Sequence, residues 1–67
     1  MVNLHKYVLE QDDPYEFIYE AISGTHGLEA QEALTELYSD IAVDYFLHPD
    51  DDFEKIIDYM LHYMEAV

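Results

Sequence analysis

Sixteen aspartates and glutamates stand against two lysines and no arginine in this 67-residue chain, a formal net charge of −14. Any fold it adopts has to hold that unbalanced charge together. An imbalance of this size usually keeps a chain unfolded, because repulsion and a low apolar content leave the ordering entropy uncompensated. The apolar content here points the other way: 51% of residues are hydrophobic, and seven tyrosines and three phenylalanines offer large burial. At roughly 25 cal/mol per Å² of apolar area removed from water, a few buried aromatics offset the ordering of short helices. The expectation is one folded but electrostatically strained domain spanning residues 1–67. Its core must be small, since a chain this short buries only about 60% of the surface its unfolded form exposes.

The same charge excludes function classes. Direct binding to DNA, RNA or an anionic membrane needs Lys and Arg to replace counterions, and they are nearly absent. There is no cysteine, hence no disulfide framework, zinc–thiolate site or thiol nucleophile. No apolar run approaches the roughly 18 residues of a membrane span. The opening stretch MVNLHKYVLEQDD has no long apolar segment and no small-residue cleavage site, so it is not expected to be a signal peptide.

Glycine and proline punctuate the chain and divide it into helical segments. Leu4, Tyr7 and Val8 predict a short helix over residues 3–10 with Asn3 as its cap. The period-two set Val2, Leu4 and Val8 leaves a short strand as the alternative. Asp13-Pro14-Tyr15-Glu16 reads as a helix start: Asp13 caps, Pro14 suits the first position and Glu16 sits where a capping box needs it. Phe17, Ile18, Ala21 and Ile22 form its apolar stripe, Gly24 stops it, and residues 23–27 form a loop. The strongest periodicity predicts a long helix from Leu28 to Leu47, with Ala30, Ala33, Leu34, Leu37, Tyr38, Ile41, Ala42, Tyr45 and Phe46 on one stripe. His48-Pro49 ends it. Asp50, Asp51 and Asp52 open a last helix, where they suit the positive end of its dipole and one of them caps it. Phe53, Ile56, Ile57, Met60, Leu61 and Met64 face inward there, opposite Glu54, Asp58, His62 and Glu65. The predicted fold is all-α: a bundle of three main helices with a short N-terminal helix.

One pattern is not explained by folding. Glu32, Glu36, Asp40 and Asp44 recur at strict four-residue steps, and Glu29 extends the row. Residues four apart lie about 6 Å apart along a helix axis, and like charges at that spacing cost a few tenths of a kcal/mol per pair. No Lys or Arg in the neighbouring turns relieves them, whereas a chain needing only solubility would mix signs. Phosphates along one DNA strand recur at an axial spacing of about 3.4 Å, and a carboxylate row imitates such a periodic polyanion. Asp50, Asp51, Asp52, Glu54 and Asp58 supply a second row, and Asp12, Asp13, Glu16 and Glu20 a third. Tyr15, Tyr19, Tyr59 and Tyr63 would serve as amphipathic anchors at a contact. The plain alternative is that these rows are ordinary solvated faces.

Other chemistry finds little support. Asp58 and His62 stand four apart, but two ligands do not make a metal site. The run from Asp50 fails the calcium-loop pattern, because Lys55 stands where a glycine belongs. Paired carboxylates act as acid and base only in unlike environments beside a substrate cleft. No Gly-rich phosphate loop, nucleophile motif or Arg clamp is present. The chain is therefore expected not to be an enzyme and to need no cofactor.

In size, charge and predicted helicity over its whole length, the chain resembles the compositional class of phage-encoded nucleic-acid mimics, the anti-restriction and anti-CRISPR proteins. The resemblance matches no family motif and brings no site residues with it. It implies a non-enzymatic inhibitor in the bacterial cytoplasm. Such a protein occupies the DNA- or RNA-binding groove of a basic protein, such as a defence nuclease or its targeting complex. The residues expected to touch that partner are Glu29, Glu32, Glu36, Asp40 and Asp44, then Asp50, Asp51, Asp52, Glu54 and Asp58. The alternative is a small helical adaptor or antitoxin-like module that docks through an apolar surface. The aromatic content also exceeds what one small core holds, so a homodimer through the long or the last helix is a further expectation. Because repulsion among carboxylates strains the fold, moderate salt should raise its melting temperature. A melting temperature that falls on adding sodium chloride would contradict this.

Overall fold

The computed structural model describes residues 4–66, and every regular element among them is an α-helix. In order these are α1 (Leu4–Leu9), α2 (Pro14–Ile22), α3 (Leu28–Asp44) and α4 (Phe53–Ala66). The chain is all-α, with three main helices and a short N-terminal one. The strand alternative for the first segment is not adopted: Leu4–Leu9 is helical, and Val8 is its fully buried anchor. Val2 and the expected cap Asn3 lie outside the described residues.

The start of α2 is built from the local chemistry of its sequence. The Asp13 Oδ1 accepts the Glu16 backbone N–H at 3.1 Å, and Pro14 occupies the first helical position. Phe17, Ile18 and Ala21 are buried, and Ile22 is half-buried. The helix ends in a paired closure at Gly24, with φ +96°. Gly24 N–H donates to the Ala21 carbonyl at 3.0 Å and Thr25 N–H to the Glu20 carbonyl at 3.0 Å. This is a Schellman motif, in which a left-handed residue turns the chain back to satisfy the last carbonyls.

The third helix is shorter than its periodicity predicts. It stops at Asp44, not Leu47. Phe46 adopts φ +56°. Its N–H donates to the Val43 carbonyl at 3.3 Å, and Leu47 N–H donates to the Ala42 carbonyl at 2.8 Å. The same motif that closes α2 therefore closes α3, with a phenylalanine in the left-handed seat. The apolar spacing runs on through Tyr45 and Phe46, but their side chains leave the core: Tyr45 is 58% exposed and Phe46 94%. Ala33 is exposed as well. The stripe that faces inward is Leu34, Tyr38, Ile41 and Ala42.

Asp52 stands at the N-cap of α4, its carbonyl accepting from Ile56 N–H at 2.9 Å. Its carboxylate points backward, accepting the His48 N–H at 2.8 Å. Asp52 N–H returns a bond to the His48 carbonyl at 2.9 Å. The aspartate thus closes the turn between α3 and α4. Above that turn the Tyr38 hydroxyl donates to the Pro49 carbonyl.

Helices α2, α3 and α4 pack each against the other two, and α1 lies on α2 and α4. Ile18, Leu34, Ile56, Ile57 and Met60 form the centre of the core, which contains no polar or charged residue among those described. Met60 and Met64 are both committed to it. The Gln31 side-chain amide donates to the Ile22 carbonyl at 3.2 Å, tying α3 to the end of α2. That amide lies 3.4 Å from where a Cβ on Gly24 would stand. Gly24→Ala should therefore lower stability by about 1–2 kcal/mol, from the left-handed backbone penalty together with the crowded amide. Urea unfolding should show the midpoint falling with an unchanged slope.

Candidate functional site

Glu29, Glu32, Glu36, Asp40 and Asp44 are all exposed on α3, on the side away from buried Leu34, Tyr38, Ile41 and Ala42. The helix sequence LEAQEALTELYSDIAVD contains no Lys, Arg or His. Asp44 is its last residue and Asp40 lies one turn earlier, so both face the negative end of the helix dipole. Each such placement costs about 0.3–1 kcal/mol at low ionic strength. Like-charge pairs along the row add a few tenths each. The row works against the stability of the helix that carries it.

The second row gathers at the start of α4. Asp50, Asp51, Asp52, Glu54 and Asp58 border one shallow depression together with Lys55. Asp52 is half-buried there, and its carboxylate is engaged by the His48 N–H. Of the third row, Glu16 acts together with Glu54 and Asp58 of the second on the Tyr15 hydroxyl. Glu20 leaves that row to face His26, with Oε1 3.3 Å from Nε2. The His26 ring in turn stacks on Phe17, centroids 4.3 Å apart.

The α3 row is separate from this group. Asp40 and Asp44 border a cleft between α3 and α4 that is walled by Tyr45, Tyr59, His62 and Tyr63. Asp58 and His62, one turn apart on α4, border different depressions: His62 the cleft and Asp58 the one at the start of α4. Among the described residues no three His, Asp or Glu side chains gather as a metal ion would need.

The tyrosines expected as anchors divide in the same way. Tyr15 and Tyr59 are half-buried and pack on Phe53 and Tyr45; Tyr19 and Tyr63 are about half exposed. Phe53 sits edge-on to Tyr15 and Tyr19, at 6.3 and 5.1 Å, and tilted to Tyr38 at 6.0 Å. This aromatic cluster joins α2, α3 and the start of α4. Periodicity does not show it, because the partners come from three helices.

Tyr7, Leu28, Val43, Tyr45 and Phe46 are exposed apolar residues that the spacing did not assign to a site. The signal for Phe46 was local: no Gly or Asn stands where α3 must turn left-handed. Comparison with protein-family models, curated proteins and solved structures finds no match for this chain. No helix among the described residues is long and apolar enough to cross a membrane.

Burial raises the Tyr15 hydroxyl above its ordinary value, with Glu54, Asp58 and Glu16 adding to the effect. Burial likewise raises Tyr38, with Asp50 adding. Folding thus favours the neutral phenols. Their contribution is full below about pH 10 and is lost as pH climbs through the raised folded values. Urea unfolding followed upward from pH 10 should show stability falling, and Tyr15→Phe should make that fall shallower. At neutral pH Tyr38→Phe should cost about 0.5–1.5 kcal/mol through loss of the bond to the Pro49 carbonyl.

Proposed function

We propose that this protein is a non-enzymatic inhibitor that acts in the cytoplasm by presenting a decoy polyanion to a basic nucleic-acid-binding protein. A bacterial defence nuclease of the restriction or CRISPR type is the class of partner that fits. The observation that carries this reading is the α3 row. Five exposed carboxylates share one face of a helix with no basic residue, and two of them oppose its dipole. A row that weakens its own helix is accounted for when the carboxylates have a partner, since the attraction is realised at the interface. The charges of Glu54, Asp58 and Glu16 all act on the hydroxyl of half-buried Tyr15, so acidic residues of α2 and α4 add a second anionic region. The mechanism is competitive: the basic groove accepts carboxylates in place of phosphates, and nucleic acid is shut out by charge and by bulk.

A helical adaptor docking through an apolar surface is the competing reading, and the exposed Val43 and Phe46 favour it. Nucleic acid separates the two. Immobilised protein should capture its partner from a bacterial lysate, release it at moderate salt, and lose it to excess duplex DNA. The double reversal Glu36→Lys with Asp40→Lys should abolish capture while the helical circular dichroism is unchanged. Capture that survives this double variant would rule out α3 as the contact, and indifference to DNA would favour the adaptor.

A further inference from the structure

The left-handed seat that closes α2 and α3 is filled differently in the two cases. Gly24 fills it after α2, and Phe46, at φ +56°, fills it after α3. A bulky side chain in this region strains the backbone, which is why glycine or asparagine usually stands there. Burial could offset that strain, but Phe46 is 94% exposed. The residue thus carries a backbone penalty for the bonds that close α3, and leaves nearly the whole aromatic ring in water. Strain of this kind, held by a well-formed motif, is enriched at binding and switch sites.

The surroundings say what Phe46 would bind. Phe46 lies with Ala42, Val43, Leu47 and Pro49 around a shallow apolar depression, and Val43 is itself 73% exposed. Carboxylates flank this patch along the chain on both sides. Asp44 ends α3 next to Val43, Asp40 stands one turn earlier, and Asp50 and Asp51 follow Pro49, all four exposed. Asp40 and Asp44 also border the tyrosine-walled cleft, and Asp50 and Asp51 the depression at the start of α4. An apolar patch with carboxylates next to it in sequence, on a chain of net charge −14, is complementary to a helix with an apolar stripe and cationic edges. A second copy of this chain fits poorly, because it would set the same carboxylates against each other.

We infer that Phe46, supported by Val43 and Leu47, is the apolar anchor of a docking surface for a basic amphipathic helix of the partner protein. This rests on the partner being basic, as proposed above, and adds that charge alone does not select it. The ring enters the partner's apolar stripe while Asp40, Asp44, Asp50 and Asp51 meet its Lys and Arg edges.

The test uses two synthetic peptides of Leu and Lys with the same composition. One has leucines at i, i+3, i+4 and i+7, and the other is scrambled. The protein should bind the ordered peptide more tightly than the scrambled one. Phe46→Gly should weaken the ordered peptide by about tenfold or more while leaving the scrambled one unchanged. The same variant should melt at the same or a higher temperature, since glycine relieves the left-handed strain. Phe46→Asn, which tolerates that backbone, should behave alike. Equal binding of both peptides, or indifference to both Phe46 variants, overturns the anchor. If that binding still weakens with salt, the reading of a basic partner survives without it. A Phe46 effect on binding that does not respond to salt removes the charge reading and leaves the anchor standing. A protein that sediments as a dimer, and as a monomer once Phe46 is replaced, overturns the inference in favour of self-association.

Discussion

The fold depends on a contest between a small wholly apolar interior and the repulsion of its own surface. No polar or charged residue is buried among those described, so no internal ion pair helps to hold the helices in place. The favourable side rests on hydrophobic burial and dispersion, at about 25 cal/mol per Å². The unfavourable side is a net charge of −14 spread over helix exteriors. The structure reconciles them by segregation. Each helix turns most of its aliphatic residues inward, Leu28 and Val43 of α3 excepted, and the carboxylates remain in water, where they repel most weakly.

Segregation also explains the aromatic residues. An interior centred on Ile18, Leu34, Ile56, Ile57 and Met60 leaves no room for ten aromatic rings. Several lie at its margin instead. Phe53 bridges Tyr15, Tyr19 and Tyr38, and Tyr45 lies against Tyr59 at 4.6 Å. Tyrosine suits such a boundary because its ring can be covered while its hydroxyl reaches water or a carbonyl. The outer rings shield the aliphatic centre and stand beside the carboxylates. One surface therefore has both apolar area and negative charge to present to another protein.

Helix starts and the glycine stop were legible because they are local chemistry. Asp13 and Pro14 announce α2, Gly24 ends it, and Leu28 opens α3. The end of α3 was not legible. Apolar residues recur at threes and fours through Tyr45 and Phe46, and periodicity cannot register a backbone that reverses hand at one residue. The aspartate run was recognisable as a cap without telling which residue takes the position. Asp52 takes it, but its side chain faces His48, a choice made by the turn and not by the helix it precedes. The α3 row was legible as a spacing, and exposure of all five members follows from the opposite face being core. That Glu16 acts on Tyr15 together with Glu54 and Asp58 depends on how α2 and α4 pack, which no spacing within one helix encodes.

The bond from the Tyr38 hydroxyl to the Pro49 carbonyl has an evolutionary consequence. Tyr38 belongs to the packed interior of α3, and Pro49 immediately precedes the aspartate run. One phenol therefore fastens the most acidic stretch of the molecule to its least polar region. Substitutions that repack the interior around Tyr38 would shift those aspartates as well. Drift in the core and adaptation of the charged surface are mechanically coupled at this point, and a lineage carrying this fold cannot freely alter one without disturbing the other.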